Sequence, residues 1–140
     1  MTTVAKHTGE VLIVQENPDL SKELESRLIA KGYVVRVAHT GPAAIALAVT
    51  NRHHVVIVDL DLLDMDGMEV LRCLKEVDLG LMPIVLMNQP SSAVKQELIA
   101  IGAFACLVKP CNVLELDALI DWAAKVKELS SERAGQSFIC

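Results

Sequence analysis

Charged and amide side chains stand directly after apolar runs in this chain, and that placement is the first chemical signal. The run at residues 55–58 ends in Asp59, and Asp61, Asp64 and Asp66-Gly67 follow closely. The run at 11–14 ends in Gln15-Glu16, the run at 84–87 in Asn88-Gln89, and the run at 104–108 in Lys109-Pro110. A charge set against an apolar run is costly unless it is paired. Two carboxylates, an amide and an ammonium converging on one edge suit a definite reaction. A carboxylate can accept a phosphoryl group and become an aspartyl-phosphate. A hard divalent cation on neighbouring carboxylates would neutralise the incoming charge. A lysine can hold a phosphoryl oxygen as a point charge, and an amide can bond another oxygen. The competing interpretation is a structural Asp59–Lys109 ion pair with no chemistry. Contributions from three strand ends to one cluster argue for the site.

The elements that must bring these residues together are readable from periodicity. The runs at 11–14, 55–58, 84–87 and 104–108 are nearly continuous in apolar residues, the pattern of strands buried on both faces of a parallel sheet. The fifth run, Val34–Ala38, is interrupted by Arg36, which suits an edge strand. Between them lie amphipathic segments. Asn17-Pro18 is a helix start, Leu20, Leu24 and Leu28 form a stripe, and Gly32 closes it. An Ala-rich helix follows over about residues 40–51. A third carries Val70, Leu71, Leu74 and Val77, and a fourth starts at Ser91-Ser92 and ends before Gly102. The fifth opens at Asn112 with Glu115 three residues later and buries Leu116, Leu119, Ile120 and Ala123. The alternation predicts a single doubly wound α/β domain, (βα)5, over residues 10–129. Residues 1–9 read as an N-terminal tail and 130–140 as a C-terminal tail or the start of a linker. In such folds ligands bind beyond the carboxyl ends of the strands, where the cluster is expected.

Composition narrows the options. The chain has 140 residues, a size for one domain, with 52% hydrophobic residues and 3% aromatic. The core must be aliphatic, and stacking of bases on an aromatic platform is disfavoured. A net charge of −5 without a Lys/Arg run gives no footprint for a phosphate backbone, so direct nucleic-acid binding is not expected. The longest near-continuous apolar run, 98–108, is too short to span a bilayer, which takes about 20 residues. No signal peptide is evident at the start, so the expectation is a cytoplasmic protein without membrane contact. Cys73, Cys106, Cys111 and Cys140 form no CxxC pair and read as free thiols. His53-His54 read as a helix-to-strand loop, and His39 ends the second strand close enough to approach Gln15.

Val55–Gly67 (VVIVDLDLLDMDG) and Val108–Pro110 (VKP) carry a resemblance. Over roughly residues 10–129 the chain resembles a response-regulator receiver domain, the family of the bacterial chemotaxis regulator. The resemblance implies a flavodoxin-like sheet of strand order 2-1-3-4-5. It implies Asp59 as the phosphoacceptor, Lys109 as a phosphate contact and a cis Lys109-Pro110 bond. It also implies a Mg²⁺ site from Glu16, Asp59 and the backbone carbonyl of Asp61. A histidine kinase or phosphotransfer protein would supply the phosphoryl group. A downstream protein would read the state from the face of the fourth helix, fifth strand and fifth helix. Trp122 lies beside the stripe of that last helix, either in the core or exposed on this face as an anchor.

Several positions depart from the family pattern. Gln15 and Glu16 stand where two acidic residues are usual, which removes one charge and lengthens the other. Mg²⁺ demands near-ideal octahedral geometry, so weak binding is expected. Asn88 replaces the usual Thr or Ser, where its amide could still contact phosphate. Gln89 replaces a small residue and would narrow access to Asp59. Cys106 occupies the position of the switch aromatic, and Leu63 that of a proline. The alternative to a phosphoacceptor is therefore a phosphorylation-independent pseudo-receiver that works as an interaction module. The pair Asp59-x-Asp61 also resembles the nucleophile motif of haloacid-dehalogenase phosphatases. That family carries the motif near its N-terminus with Thr or Val where Leu63 stands, and a later acidic pair that is missing here. An enzyme is not expected.

Overall fold

A computed structural model describes residues 9–61, 66–89 and 91–130, with side chains through residue 127. Five strands alternate with five helices: β1 Glu10–Val14, α1 Pro18–Ala30, β2 Val34–Ala38, α2 Gly41–Thr50, β3 Val55–Asp59, α3 Gly67–Val77, β4 Met82–Met87, α4 Ser92–Ile101, β5 Ala105–Val108 and α5 Val113–Ser130. The strands form one parallel sheet in the order β2-β1-β3-β4-β5. The doubly wound α/β fold and its strand order are as expected, and Arg36 lies on an edge strand.

Alternation along each central strand builds two cores. Val11 and Ile13 of β1, with Val55 and Ile57 of β3, face α1 and α5, where Leu24, Leu28, Leu116 and Ile120 cover them. Leu12, Val14, Val56 and Val58 point the other way, toward Ala44 of α2, Leu71 and Leu74 of α3 and Leu98 of α4. Burial on both faces is why these strands read as unbroken apolar runs. The fifth run behaves differently. Leu107 is only half-buried and Val108 is exposed, because β5 is the second edge of the sheet.

Caps fix the loops above the sheet. Asn17 accepts from the N–H groups of Asp19 and Leu20 at the start of α1, and Asn112 from those of Leu114 and Glu115 at the start of α5. Asp66 caps α3 by accepting from Met68 N at 3.1 Å. Gly67 follows because nothing larger fits. A Cβ there would stand 2.5 Å from Leu60 Cα, so this glycine lets α3 press on the turn that follows the acceptor strand. At the other end of the domain, α1 is tied to α5. Arg27 pairs with Asp117 at 2.8 Å, and Asp121 accepts from Lys31 at 2.7 Å and from the Tyr33 hydroxyl at 2.6 Å.

Three expectations need correction or fall outside this description. Trp122 is not core: it is 54% exposed and meets Phe104 edge-on at 6.2 Å. The thiols are not all free; Cys73 and Cys111 are, whereas Cys106 is disulfide-bonded. Asp64, Leu63 and the tails at 1–8 and 131–140 lie outside the described residues.

Candidate functional site

Asp59 is the last residue of β3 and is 5% exposed. It ends a strand flanked by β1 and β4, so its carboxylate emerges among three neighbouring strand ends. Lys109 comes from the end of β5. Its backbone N–H donates to Met87 O at 2.7 Å, which extends the β4–β5 ladder by one step, and the Lys109-Pro110 bond is cis. From there the ammonium lies 2.8 Å from both Asp59 oxygens and 3.0 Å from Asp61 Oδ2. Burial pulls the Lys109 pKa down, but the bonds and charges of Asp59 and Asp61 outweigh it, and the net displacement is upward. The lysine therefore stays cationic at neutral pH.

Two further donors complete the acceptor carboxylate. The backbone N–H of Asp61 donates to Asp59 Oδ1 at 2.9 Å, and Gln15 Nε2 donates to Asp59 Oδ2 at 2.9 Å. Gln15 is itself held at three points. Its N–H donates to Ala38 O, its carbonyl accepts from His39 Nδ1 at 2.9 Å, and its side-chain Oε1 accepts from Asn17 N at 3.2 Å. The approach of His39 to Gln15 is thus realised.

The structure brings Lys109, Gln15 and Asp61 into contact with Asp59, and Lys109 with Asp61 as well. Glu16 follows Gln15 at the same edge and is half-buried. Asn88 and Gln89 are exposed at the end of β4. Both line a cleft of about 440 Å³ with Asp61, Asp66 and Met87. On the other side, a more apolar cavity of about 380 Å³ lies between α1 and α5, with Gln15, Asn88 and Lys109 at its polar end and Leu20, Leu24 and Leu116 along its walls. Cys106 lies inside the sheet on β5, buried against the face that α4 covers.

Sequence reasoning assigned only a backbone carbonyl to Asp61. Its carboxylate is a direct partner of Lys109, a contact that the spacing Asp59-x-Asp61 permits but does not dictate. The donor role of Gln15 toward Asp59 was likewise not foreseen.

A divalent cation at this edge needs acceptor oxygens facing one point. Gln15 instead presents an N–H to Asp59 Oδ2, its Oε1 is occupied by Asn17, and Lys109 puts a positive charge on both Asp59 oxygens. Among the described residues, no group of three His, Cys, Asp or Glu side chains is placed to hold a metal. As arranged, the donor set does not fit Mg²⁺. Nor, among the described residues, is any helix long and apolar enough to cross a membrane.

Comparison with known proteins gives a consistent result. The response regulator receiver domain family matches residues 11–121. The "Uncharacterized transcriptional regulatory protein YkoG" of Bacillus subtilis is 30% identical over 127 residues, covering 91% of this chain and 56% of that protein. The chain spans about half the length of the curated relatives it matches. Among solved structures, a CheY-like receiver domain protein from Methanospirillum hungatei superimposes with a TM-score of 0.82 at 24% identity, over 86% of this chain and 97% of that one. A response regulator from Burkholderia pseudomallei, solved with a phosphorylated aspartic acid, calcium ion and citrate, has a TM-score of 0.74 at 28% identity, over 89% of this chain and 72% of that one.

Proposed function

The chain belongs to the response regulator receiver domain family, and on that premise we propose that Asp59 accepts a phosphoryl group from a histidine kinase or a phosphotransfer protein. The observation that carries this reading is the buried Asp59 carboxylate with Lys109 on both of its oxygens, beside a cleft lined by Asp61, Asn88 and Gln89. Lys109 is placed to follow a developing phosphoryl charge, because its ammonium already spans the acceptor and Asp61. Asn88 stands at the rim of both cavities, where its amide can meet a phosphoryl oxygen.

The family in general binds Mg²⁺ at its acidic site. In this chain Glu16, Asp59 and the Asp61 carbonyl are the proposed ligands, and binding is expected to be weak. Gln15 contributes no charge and would have to turn away from Asp59 first. The domain acts as a signalling module in the cytoplasm and not as an enzyme. Its output passes through a protein partner at the face of α4, β5 and α5, where Trp122 and Val108 are exposed. The domain assignment follows: 10–129 as the receiver unit, with 1–9 and 130–140 as flanking tails.

The second reading, a phosphorylation-independent interaction module, is favoured by one observation. The relay positions Asn88 and Cys106 offer neither an inward hydroxyl nor a bulky ring to rotate, so phosphate at Asp59 has little to act on across the sheet. Beryllofluoride, a phosphoryl mimic, separates the two readings when followed by amide NMR. The phosphoacceptor reading expects adduct formation with shifts at Asp59 and Lys109. Spectra unchanged at saturating reagent would support the interaction module instead.

A further inference from the structure

We propose that Gln15 is a latch on the acceptor carboxylate: its amide must leave Asp59 before the site can be charged, and its release is transmitted to the start of α1. The inference rests on the reading of Asp59 as phosphoacceptor and adds the regulation of that site.

A carboxylate offers about four lone-pair positions, two on each oxygen. At Asp59 all four are taken. Oδ1 accepts from Lys109 Nζ and Asp61 N, and Oδ2 accepts from Lys109 Nζ and Gln15 Nε2. Acceptance of a phosphoryl group draws on this set twice. One lone pair becomes the new O–P bond, and another must face whatever group neutralises the incoming dianion. In the step itself, an Asp59 oxygen attacks phosphorus while the bond from phosphorus to the donor oxygen breaks. With acetyl phosphate as donor the products are the acyl phosphate on Asp59 and acetate, with no proton consumed.

Of the three donors, Gln15 yields most readily. Lys109 is charged and bonded to both oxygens, and charge-assisted bonds are the stronger kind. The Asp61 N–H is backbone, fixed by the turn that Gly67 presses on. Gln15 is neutral, half-buried, and beside a cavity where its amide can be hydrated.

The orientation of the amide is set by its partners, since a carboxylate must meet the N–H end and Asn17 N–H must meet the oxygen end. One side chain thus spans the acceptor and the residue that caps α1. When Nε2 leaves Asp59, the Oε1–Asn17 contact is strained or broken with it. The far end of α1 is anchored to α5 through Arg27–Asp117 and Lys31–Asp121. Movement is therefore confined to the β1–α1 turn and the first turn of the helix, at the mouth of the cavity that Gln15 and Leu20 line.

The test uses Gln15→Met, which keeps the length and removes the donor, and Gln15→Glu, which keeps the shape and adds a charge. Acetyl phosphate labelling of each is followed over a series of Mg²⁺ concentrations, with thermal unfolding checked for each variant. Gln15→Met should label about 10-fold faster than wild type, the scale of one hydrogen bond to a charged group. In the wild type, beryllofluoride should shift the amides of Asn17, Asp19 and Leu20. In free Gln15→Met the Asn17 amide should already be displaced. Gln15→Glu should label faster than wild type as Mg²⁺ is raised. Equal or slower labelling of Gln15→Met in a folded protein, or an Asn17 amide unmoved by beryllofluoride, would overturn the latch while leaving Asp59 as acceptor. Absence of label in all three proteins would remove the acceptor reading, and the latch with it.

Discussion

The two ends of the sheet make an instructive pair. At the carboxyl end, Asp59 is buried and meets Lys109, Gln15 and the Asp61 backbone, and the cluster opens into a cavity on each side. At the amino end, His53 is slightly more buried, 3% exposed, and meets a cation too: its Nε2 lies 3.3 Å from Arg36, which pairs with Glu10 at 3.0 Å. His54 Nδ1 accepts from the Glu10 N–H at 2.9 Å and finishes that edge. Since a guanidinium only donates, His53 Nε2 must accept, and the proton resides on Nδ1, which is buried without a partner among the described residues. Both ends hold a buried titratable group beside a basic side chain. The difference is that the upper group has every lone pair matched, by Lys109 and Gln15 from two other strand ends and by the Asp61 N–H, and these partners line open cavities. The lower one is neutral, incompletely satisfied and closed in. Convergent, satisfied and accessible polar groups mark chemistry; a packed histidine marks the underside of a sheet.

Substitutions can sharpen that contrast. The largest effect is expected from Lys109→Met, which removes the sole described cation on Asp59. Labelling by acetyl phosphate should fall by about 10²-fold, the scale of losing one charge-stabilising donor at a reacting centre. Stability should fall as well, because the buried Asp59 charge loses its cation, so labelling is read well below the melting transition. An unchanged rate would make the pair merely structural. Gly67→Ala tests how firmly the upper edge is built. The Cβ meets the backbone of Leu60, so unfolding in urea should show a loss of about 1–3 kcal/mol, with slower labelling because the Asp61 N–H is displaced.

The lower edge should respond to pH instead. Burial first, then the charge of Arg36, lowers the His53 pKa below its ordinary value of about 6.5, against weaker opposition from Glu10 and Asp78, and His54 adds to the lowering. The unfolded chain therefore binds a proton that the folded chain does not. Stability should fall as pH drops below about 6.5 and level off once the folded pKa is passed. Denaturation midpoints of His53→Phe across this range should lose that component, without altering Asp59 labelling. The smallest effect is expected at Gln89. Its side chain is exposed, so Gln89→Ala should change the labelling rate less than about twofold, within the usual range for surface positions. A large acceleration would place the amide over the acceptor after all.

Much of the fold was legible because burial on both faces leaves an unambiguous mark. The central strands, the edge strand with Arg36, and the caps at Asn17, Ser91 and Asn112 all follow from periodicity and residue type. Asp59 and Lys109 could be placed together because each ends an apolar run. What periodicity does not carry is the direction of a side chain at a strand end. Gln15 offers both a donor and an acceptor, and only the positions of Asp59 and Asn17 decide which end goes where. His53 was read as a loop residue since nothing local reveals that the loop is roofed by Arg36. Trp122 sits beside an apolar stripe, and periodicity alone does not decide whether a residue at the stripe's margin is covered; here it meets Phe104 edge-on and stays exposed.

The central claim, that the buried carboxylate at the carboxyl edge is a phosphoryl acceptor, is tested most directly by mapping the label. Intact protein treated with acetyl phosphate and Mg²⁺ is digested and the acyl phosphate located by mass spectrometry, in wild type, Asp59→Asn and Asp61→Asn. The account predicts a single phosphoryl group on Asp59, absent from Asp59→Asn and retained in Asp61→Asn. An unlabelled wild type, or label that persists in Asp59→Asn, would contradict it.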